Sequence, residues 1–525
     1  MCLLCALRGS VVRFFKKMKF IDEVKYPSQF IFSGKYRKIR DMIYNRNDSC
    51  QKQTNSLPAD KKLVKEIWHK QKIERRGVKT VSGDRIFVIS PGEWNLNSGP
   101  DFKNAVVNIN GSETKCDVYA GVYSTDINSN TESSGPECTV LNIFLWKAES
   151  GSAAAEPRRR TIHSLELKNY LDSELDIIES NFNIEDYPSS VKVKPGRCAS
   201  YLMDNYSLID YIVGLAGDER IISKSKIFEK SLACRSLGEV VYSGIMDGLG
   251  YGPNRENFKL LSEKLPIERI EKIVKLEKFE EKPLKIQALL FGMSGLLPEI
   301  EKIEFYDEGA KEYVSKIKKI WKIVRSEISP AEIIKSDSWK FRGLRPFNFP
   351  YRRLAAASFI ISKYIDAGLE KIFYYFYNDL MEGRFNLKRF SETVKLNEFK
   401  GTDFWSYRTT FHSKVLSKPV AYIGEERIML IIINSFLPIA VTMNQDGESG
   451  KNIHKWWKKQ PACSLNRIAK YTSKKIGFGN MINTERAQQG LLQIFRDFCD
   501  TKKGVCSGCD FRNLSGLPAT VFFNN

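Results

Sequence analysis

Asp101, Glu113, Lys115 and Asp117 are residues of this chain whose types and spacing could do chemistry. Asp101 follows a proline in NSGPDF, and Glu113-Thr114-Lys115 is a literal Glu-x-Lys triplet in the run that comes after it. Two carboxylates converging on Mg²⁺ can offset the charge that develops on a phosphate oxygen and generate hydroxide near neutral pH. The reaction such a set would serve is metal-dependent cleavage of a phosphodiester, and a lone carboxylate holds the ion weakly. Asp101 has a second reading, as an Asp in a Pro-Asp turn that accepts backbone hydrogen bonds. Glu113 and Lys115 sit just past Asn110-Gly111, at the mouth of a predicted hairpin, and their match reads as a decoy. Asp117 is the other candidate for a second ligand, because strand side chains alternate with period two and place it on one face with Tyr119 and Gly121.

Two further groups could bind. Cys499, Cys506 and Cys509 include a Cys-x-x-Cys, and three soft thiolates favour zinc or an iron–sulfur centre. A closed tetrahedral zinc site needs a fourth ligand, for which Cys198 in PGRCAS is the candidate; the alternative is a set of reduced, buried cysteines. WKFRGLRPFNFPYRRLA interleaves Arg342, Arg345, Arg352 and Arg353 with Phe341, Phe347, Phe349 and Tyr351. That mixture can neutralise a phosphate backbone and stack on bases. It reads equally as a domain joint, shaped by Pro346 and Pro350, in which the arginines pair internally. The histidines, His69, His163, His412 and His454, are isolated and read as packing or surface residues.

A helix and a sheet must position the carboxylates. KKLVKEIWHKQKI, from Lys61, carries Leu63, Val64, Ile67 and Trp68 at the spacing of one helix face. RIFVIS, AVVNI, CDVYAGVY and VLNIFLW are β-rich runs, and Asn110-Gly111 between the second and third signals a hairpin. Residues 59–195 are therefore expected to form an α/β unit with Asp101 at the start of a strand. Residues 1–58 read as a basic appendage that ends in the linker-like NRNDSCQKQTNSLPAD. RENFKLLSEKLPIERIEKIVKLEKF and PLKIQALLFGMSGLL have helical period, so 196–415 is expected to be mainly helical. A strand-like patch at 418–441 makes 416–525 a C-terminal α/β segment that carries the cysteine cluster.

The 525 residues, 42% hydrophobic and 12% aromatic, suffice for packed cores and exclude a disordered chain. IMLIIINSFLPIAV is interrupted by Asn434 and Ser435 and reads as a buried strand or core helix, so no membrane span is expected. The start, MCLLCALRGSVVRFFKKMKF, is apolar then basic, the reverse of a secretory signal, which makes the cytoplasm the expected compartment. The 11 cysteines are scattered, and disulfides are not expected there. With 82 Lys and Arg against 62 Asp and Glu, the net charge of +20 creates a field that attracts polyanions, nucleic acid first among them. The alternative is a Lys-rich composition without functional meaning.

Several phrases in chain order resemble the uncharacterised bacterial family catalogued as domain of unknown function 2851. They are PGEWNLNSGPDFKNA, LELKNYL, LKIQALLFGMSGLLPE, WKFRGLRPFNFPYRRLA and AQQGLLQIFRDFCDTKKGVCSGC. The N-terminal part of that family resembles the PD-(D/E)xK nuclease fold. It has a Gly-Pro-Asp-Phe phrase on one strand and a Glu-Ile-His phrase on the next, followed by Ser-Ser-Asp-Trp and a histidine-rich segment. The resemblance implies an α+β chain, with a PD-(D/E)xK-like mixed sheet and flanking helices followed by a mainly helical C-terminal half.

Gly99, Pro100, Asp101 and Phe102 match the family phrase. With Ser124-Thr125-Asp126 aligned to Ser-Ser-Asp, the family's Glu falls on Tyr119 and its His on Gly121, and later histidines are replaced by Asn130, Glu132 and Asn142. Asp117 then lies roughly 6 to 7 Å along the strand from the family's Glu position. The expectation is a nucleic-acid-binding protein with a degraded nuclease site. A working nuclease that uses Asp101 with Asp117 or Glu113, and requires Mg²⁺, is one alternative; a non-enzymatic scaffold is the other.

Overall fold

Asn110 and Gly111 both have positive φ, +51° and +94°, the combination a type I′ turn requires and whose twist matches the strands it joins. They connect β3 (Phe102–Ile109) to β4 (Ser112–Tyr123), with Ile109 opposite Ser112. β1 (Ile86–Ser90) and β2 (Glu93–Trp94) both pair antiparallel with β3. β5 (Thr139–Trp146) and β6 (Ile162–Glu166) extend the sheet from β4 in parallel, giving a mixed sheet of order β1-β3-β4-β5-β6. The computed structural model describes residues 31–45, 61–74, 77–95, 99–127, 139–148, 161–172, 175, 178, 206–250, 252–299, 306–341, 344–394, 400–401, 403–444, 447–479, 481–499 and 509–516.

One face of the sheet is covered by α2 (Lys61–His69), whose Val64, Ile67 and Trp68 are fully buried. Along β4 the alternation is plain: Cys116, Val118 and Ala120 belong to the core shared with α2, and the intervening Asp117 and Tyr119 do not. The Trp68 indole donates to the Pro91 carbonyl at 2.9 Å, tying α2 to the link between β1 and β2.

The second core is helical and gathers α4 (Leu237–Gly250), α5 (Arg255–Lys264), α6 (Ile267–Val274), α7 (Lys282–Met293), α8 (Glu308–Val324), α9 (Pro350–Tyr364), α10 (Glu370–Met381), α11 (Leu387–Val394), α12 (Glu425–Met443) and α13 (Gly447–Lys459). α3 (Tyr206–Cys234) spans both cores: Ile209, Ile212 and Val213 pack with the sheet, and Ile221 and Ile222 with the helices. α14 (Arg467–Ile476) and α15 (Glu485–Ile494) return to the sheet core. α15 lies so close on α3 that a Cβ at Gly490 would fall 1.9 Å from the Val213 carbonyl oxygen. At the joint, Arg486 donates to both carboxylate oxygens of buried Asp218, and Trp457 Nε1 donates to one of them. Burial opposes the charge on Asp218, yet the hydrogen bonds from Arg486 and His454 hold its carboxyl below the ordinary range.

The packing departs from the expected four-part division in three places. Within the first 58 residues, α1 (Lys35–Asn45) buries Tyr36, Ile39 and Ile43 in the sheet core, and Ile31 and Phe32 reach the helical core. The patch at 418–441 is not a strand. Its Ile-rich run lies in α12, which is long and apolar enough to cross a membrane but has 67% of its apolar window buried inside the protein. Surrounded by helices, β-branched residues take the helical state their propensity disfavours, because burial outweighs it. Finally, the described part of 416–525 contains no named strand, and its last helices pack on the N-terminal sheet instead of forming an α/β segment of their own.

Candidate functional site

Asp101 stands immediately before β3 and is fully buried. Its backbone N–H donates to the Val118 carbonyl at 2.7 Å and its carbonyl accepts from Asn95 N at 2.8 Å, so its main chain is held in place. The side-chain Oδ2 accepts from the Ala120 N–H at 2.8 Å. Two ammonium groups face the carboxylate: Lys61 Nζ lies 3.4 Å from Oδ2, and Lys65 Nζ 3.6 Å from Oδ1. Both lysines come from α2, where a spacing of four residues puts them on one face. Lys65 is itself buried, 2% exposed, with its Nζ 5.8 Å from the centre of the Trp94 ring.

This arrangement does not fit Mg²⁺. The ion would have to approach a carboxylate oxygen to about 2.0–2.1 Å. The same oxygens already face two fixed positive charges that would repel it. Among the described residues no group of three or more His, Cys, Asp or Glu side chains is placed to hold a metal.

The positions that the resemblance aligns with the family's Glu and His are Tyr119, buried on β4, and Gly121. A Cβ at Gly121 would meet Ile127 Cγ1 at 2.6 Å and the Tyr123 carbonyl oxygen at 2.8 Å, so an imidazole could not be accommodated without a backbone shift. Ser124–Asp126 is a short turn in which Asp126 Oδ2 accepts from Val122 N and Tyr123 N. Asn142 lies on β5 opposite Tyr119; Asn130 and Glu132 lie outside the described residues.

Glu113 and Lys115 are exposed at the turn end of the hairpin, paired with Asn108 and Val106. Val118, the residue bonded to Asp101, is five positions beyond Glu113, roughly 17 Å along the strand. Asp117 is buried on the face that Cys116, Val118 and Ala120 do not share.

The arginines separate. Arg342 lies outside the described residues and Arg345 is exposed. Arg352 and Arg353 are buried on α9 and pair internally, as the domain-joint reading has it. The Arg352 guanidinium donates to the carbonyls of Trp405, Arg408, Val420 and Ala421, and burial pushes its pKa down to about 10. Arg353 donates to the Asn348 side chain and the Tyr422 carbonyl. Both serve the internal joint, capping carbonyls that would otherwise be buried without donors.

Cys198 and Cys506 lie outside the described residues. Cys509 is buried in the sheet core and Cys499 packs against that same core. His69 packs beside the Trp94 and Phe102 rings, which also touch each other, His163 is 3.7 Å from Asp84, His412 packs on Tyr306, and His454 is 3.5 Å from Asp218. Sequence reasoning missed Lys61 and Lys65. Their i,i+4 spacing was visible, but nothing local pointed it at Asp101.

The molecule is an α+β protein in which a mixed sheet, carrying a buried carboxylate at the start of β3, is joined to a larger helical half. The chain belongs to DUF2851, a family of proteins of unknown function, whose family model matches residues 61–463. No curated protein and no solved structure matches it.

Proposed function

We propose that this protein binds nucleic acid in the cytoplasm, and that its N-terminal unit descends from a PD-(D/E)xK-type nuclease whose metal position is filled by lysines. The observation that carries the reading is the pair of ammonium groups, Lys61 and Lys65, at 3.4 and 3.6 Å from Asp101. They supply to one carboxylate the positive charge that a divalent ion would supply to two. The resemblance adds support, since the Gly-Pro-Asp-Phe phrase leads into the hairpin while Tyr119 and Gly121 stand at the ligand positions. The net charge of +20 favours a polyanionic partner.

The test is binding and cleavage in one preparation. Purified protein should bind single- or double-stranded DNA or RNA weakly, with affinity falling steeply between about 50 and 200 mM salt as counterions are released. Added Mg²⁺ or Mn²⁺ should not produce substantial cleavage. Cleavage that disappears in Asp101→Ala would establish a working nuclease instead, and absence of binding at low salt would favour the scaffold.

A further inference from the structure

The sheet face turned away from α2 carries a group of exposed residues at the turn end of the β3–β4 hairpin. β1 is the edge strand, and its core side is taken by Ile86. Phe87 and Ile89 project from the other side and are each 50% exposed. Phe87 lies opposite Asn108, which lies opposite Glu113; Val106 lies opposite Lys115. An edge strand with an exposed aromatic ring is a liability that proteins normally avoid. Beside this ring is a cleft of about 800 Å³ lined by Lys79, Arg85, Phe87, Asn108 and Asn110.

The charges around the ring are left for a partner. Lys79, Arg85 and Lys115 are exposed, and among the described residues none of them pairs with a carboxylate. Two carboxylates are nearby. Asp84 is engaged by its own loop and by the β3–β4 turn, accepting from Ser82 Oγ and Asn110 Nδ2 at 2.8 Å each, and those hydrogen bonds hold its pKa below the ordinary range. Glu113 remains at the rim. Asn108 Oδ1 accepts from Gly111 N, which leaves its amide hydrogens as donors.

We propose that this edge of the sheet is a single-stranded nucleic-acid platform, with Phe87 stacking on a base and Lys79, Arg85 and Lys115 neutralising the adjoining phosphates. The proposal rests on the nucleic-acid reading above and specifies the strand state and the surface. A ring that lies open on a sheet can stack only on a base that is unstacked from its neighbours, which selects single strands over duplexes. The lysines and arginine supply attraction without sequence preference.

Fluorescence anisotropy with a labelled oligothymidine of roughly 20 nucleotides, longer than a typical single-strand site, tests it against a duplex of the same length. The single strand should bind more tightly, and Phe87→Ala should weaken it roughly tenfold while Phe87→Tyr retains wild-type affinity. Lys79→Glu with Arg85→Glu should reduce the salt slope by about 0.7 for each phosphate that is no longer neutralised. Lys316→Glu, on the exposed side of α8, is the charge control and should lower the slope less. Circular dichroism melts establish that the variants fold. Wild-type binding that Phe87→Ala leaves intact, or a preference for duplex, overturns the platform while sparing the broader proposal. No binding by the wild-type chain overturns both.

Discussion

Lys65 and Asp101 face each other with Nζ 3.6 Å from Oδ1, and both side chains are sealed from solvent. Each charge has lost its hydration, and the other charge, with Lys61, the Ala120 amide and the Trp94 ring, helps to offset that loss. The pair therefore couples the start of β3 to α2, in the place where a metal-binding sheet would need an open carboxylate.

Removing one partner should cost more than removing both. Lys65→Ala is expected to destabilise the protein by about 3–5 kcal/mol, because Asp101 then keeps a buried charge with less compensation. The double variant Lys65→Met, Asp101→Asn should recover a large part of that loss. Urea unfolding of the three proteins measures it, and additive effects would contradict the coupling.

Gly121→Ala should destabilise by about 1–3 kcal/mol through overpacking, since the added methyl meets Ile127 and the Tyr123 carbonyl. Thermal melts would show the shift. An unchanged midpoint would mean that the end of β4 yields easily and has room for a larger group.

Arg352 should tolerate neither Ala nor Lys. Four carbonyls share its planar fork, and a lysine ammonium cannot reproduce that geometry. A loss of about 3 kcal/mol or more is expected for Arg352→Ala, with at most partial rescue by Arg352→Lys. Chemical denaturation checks this.

His69 gives the stability a pH dependence. Burial among Trp94 and Phe102 lowers its pKa to about 4, from 6.5 in a free histidine, with Lys70 adding to the effect. Between those values the unfolded chain binds the proton and the folded chain does not, so stability falls as pH drops from 6.5 toward 4. Comparing wild type with His69→Phe across that range should reveal a difference on the order of 2 kcal/mol that vanishes above neutrality.

The cysteine group is expected to hold a metal. Cys499 and Cys509 already pack against one core, and Cys506 and Cys198 are the proposed further ligands. Elemental analysis of anaerobically prepared protein should find about one zinc or a small iron cluster per chain, lost in Cys509→Ser. Metal-free protein would remove the proposal.

The sequence by itself determined the hairpin, four strands of the sheet and the helical texture of the second half; β2 (Glu93–Trp94) and β6 (Ile162–Glu166) were not legible in it. These features are written locally: Asn110-Gly111 encodes its own turn, and alternation or helical period reports which side of an element is apolar. Those patterns do not say what covers the apolar side. Only the tertiary structure brought Lys61 and Lys65 to Asp101, since the chain must cross two strands before the carboxylate meets the helix that neutralises it. It also decided that the Ile-rich run of α12 is helical and that Arg352 faces inward, because burial by neighbouring helices outweighs propensity and consumes donors that look free in sequence. The return of α14 and α15 to the sheet core rests on the same reason: which apolar faces close on each other depends on surfaces far apart in the chain, and local spacing carries no record of them.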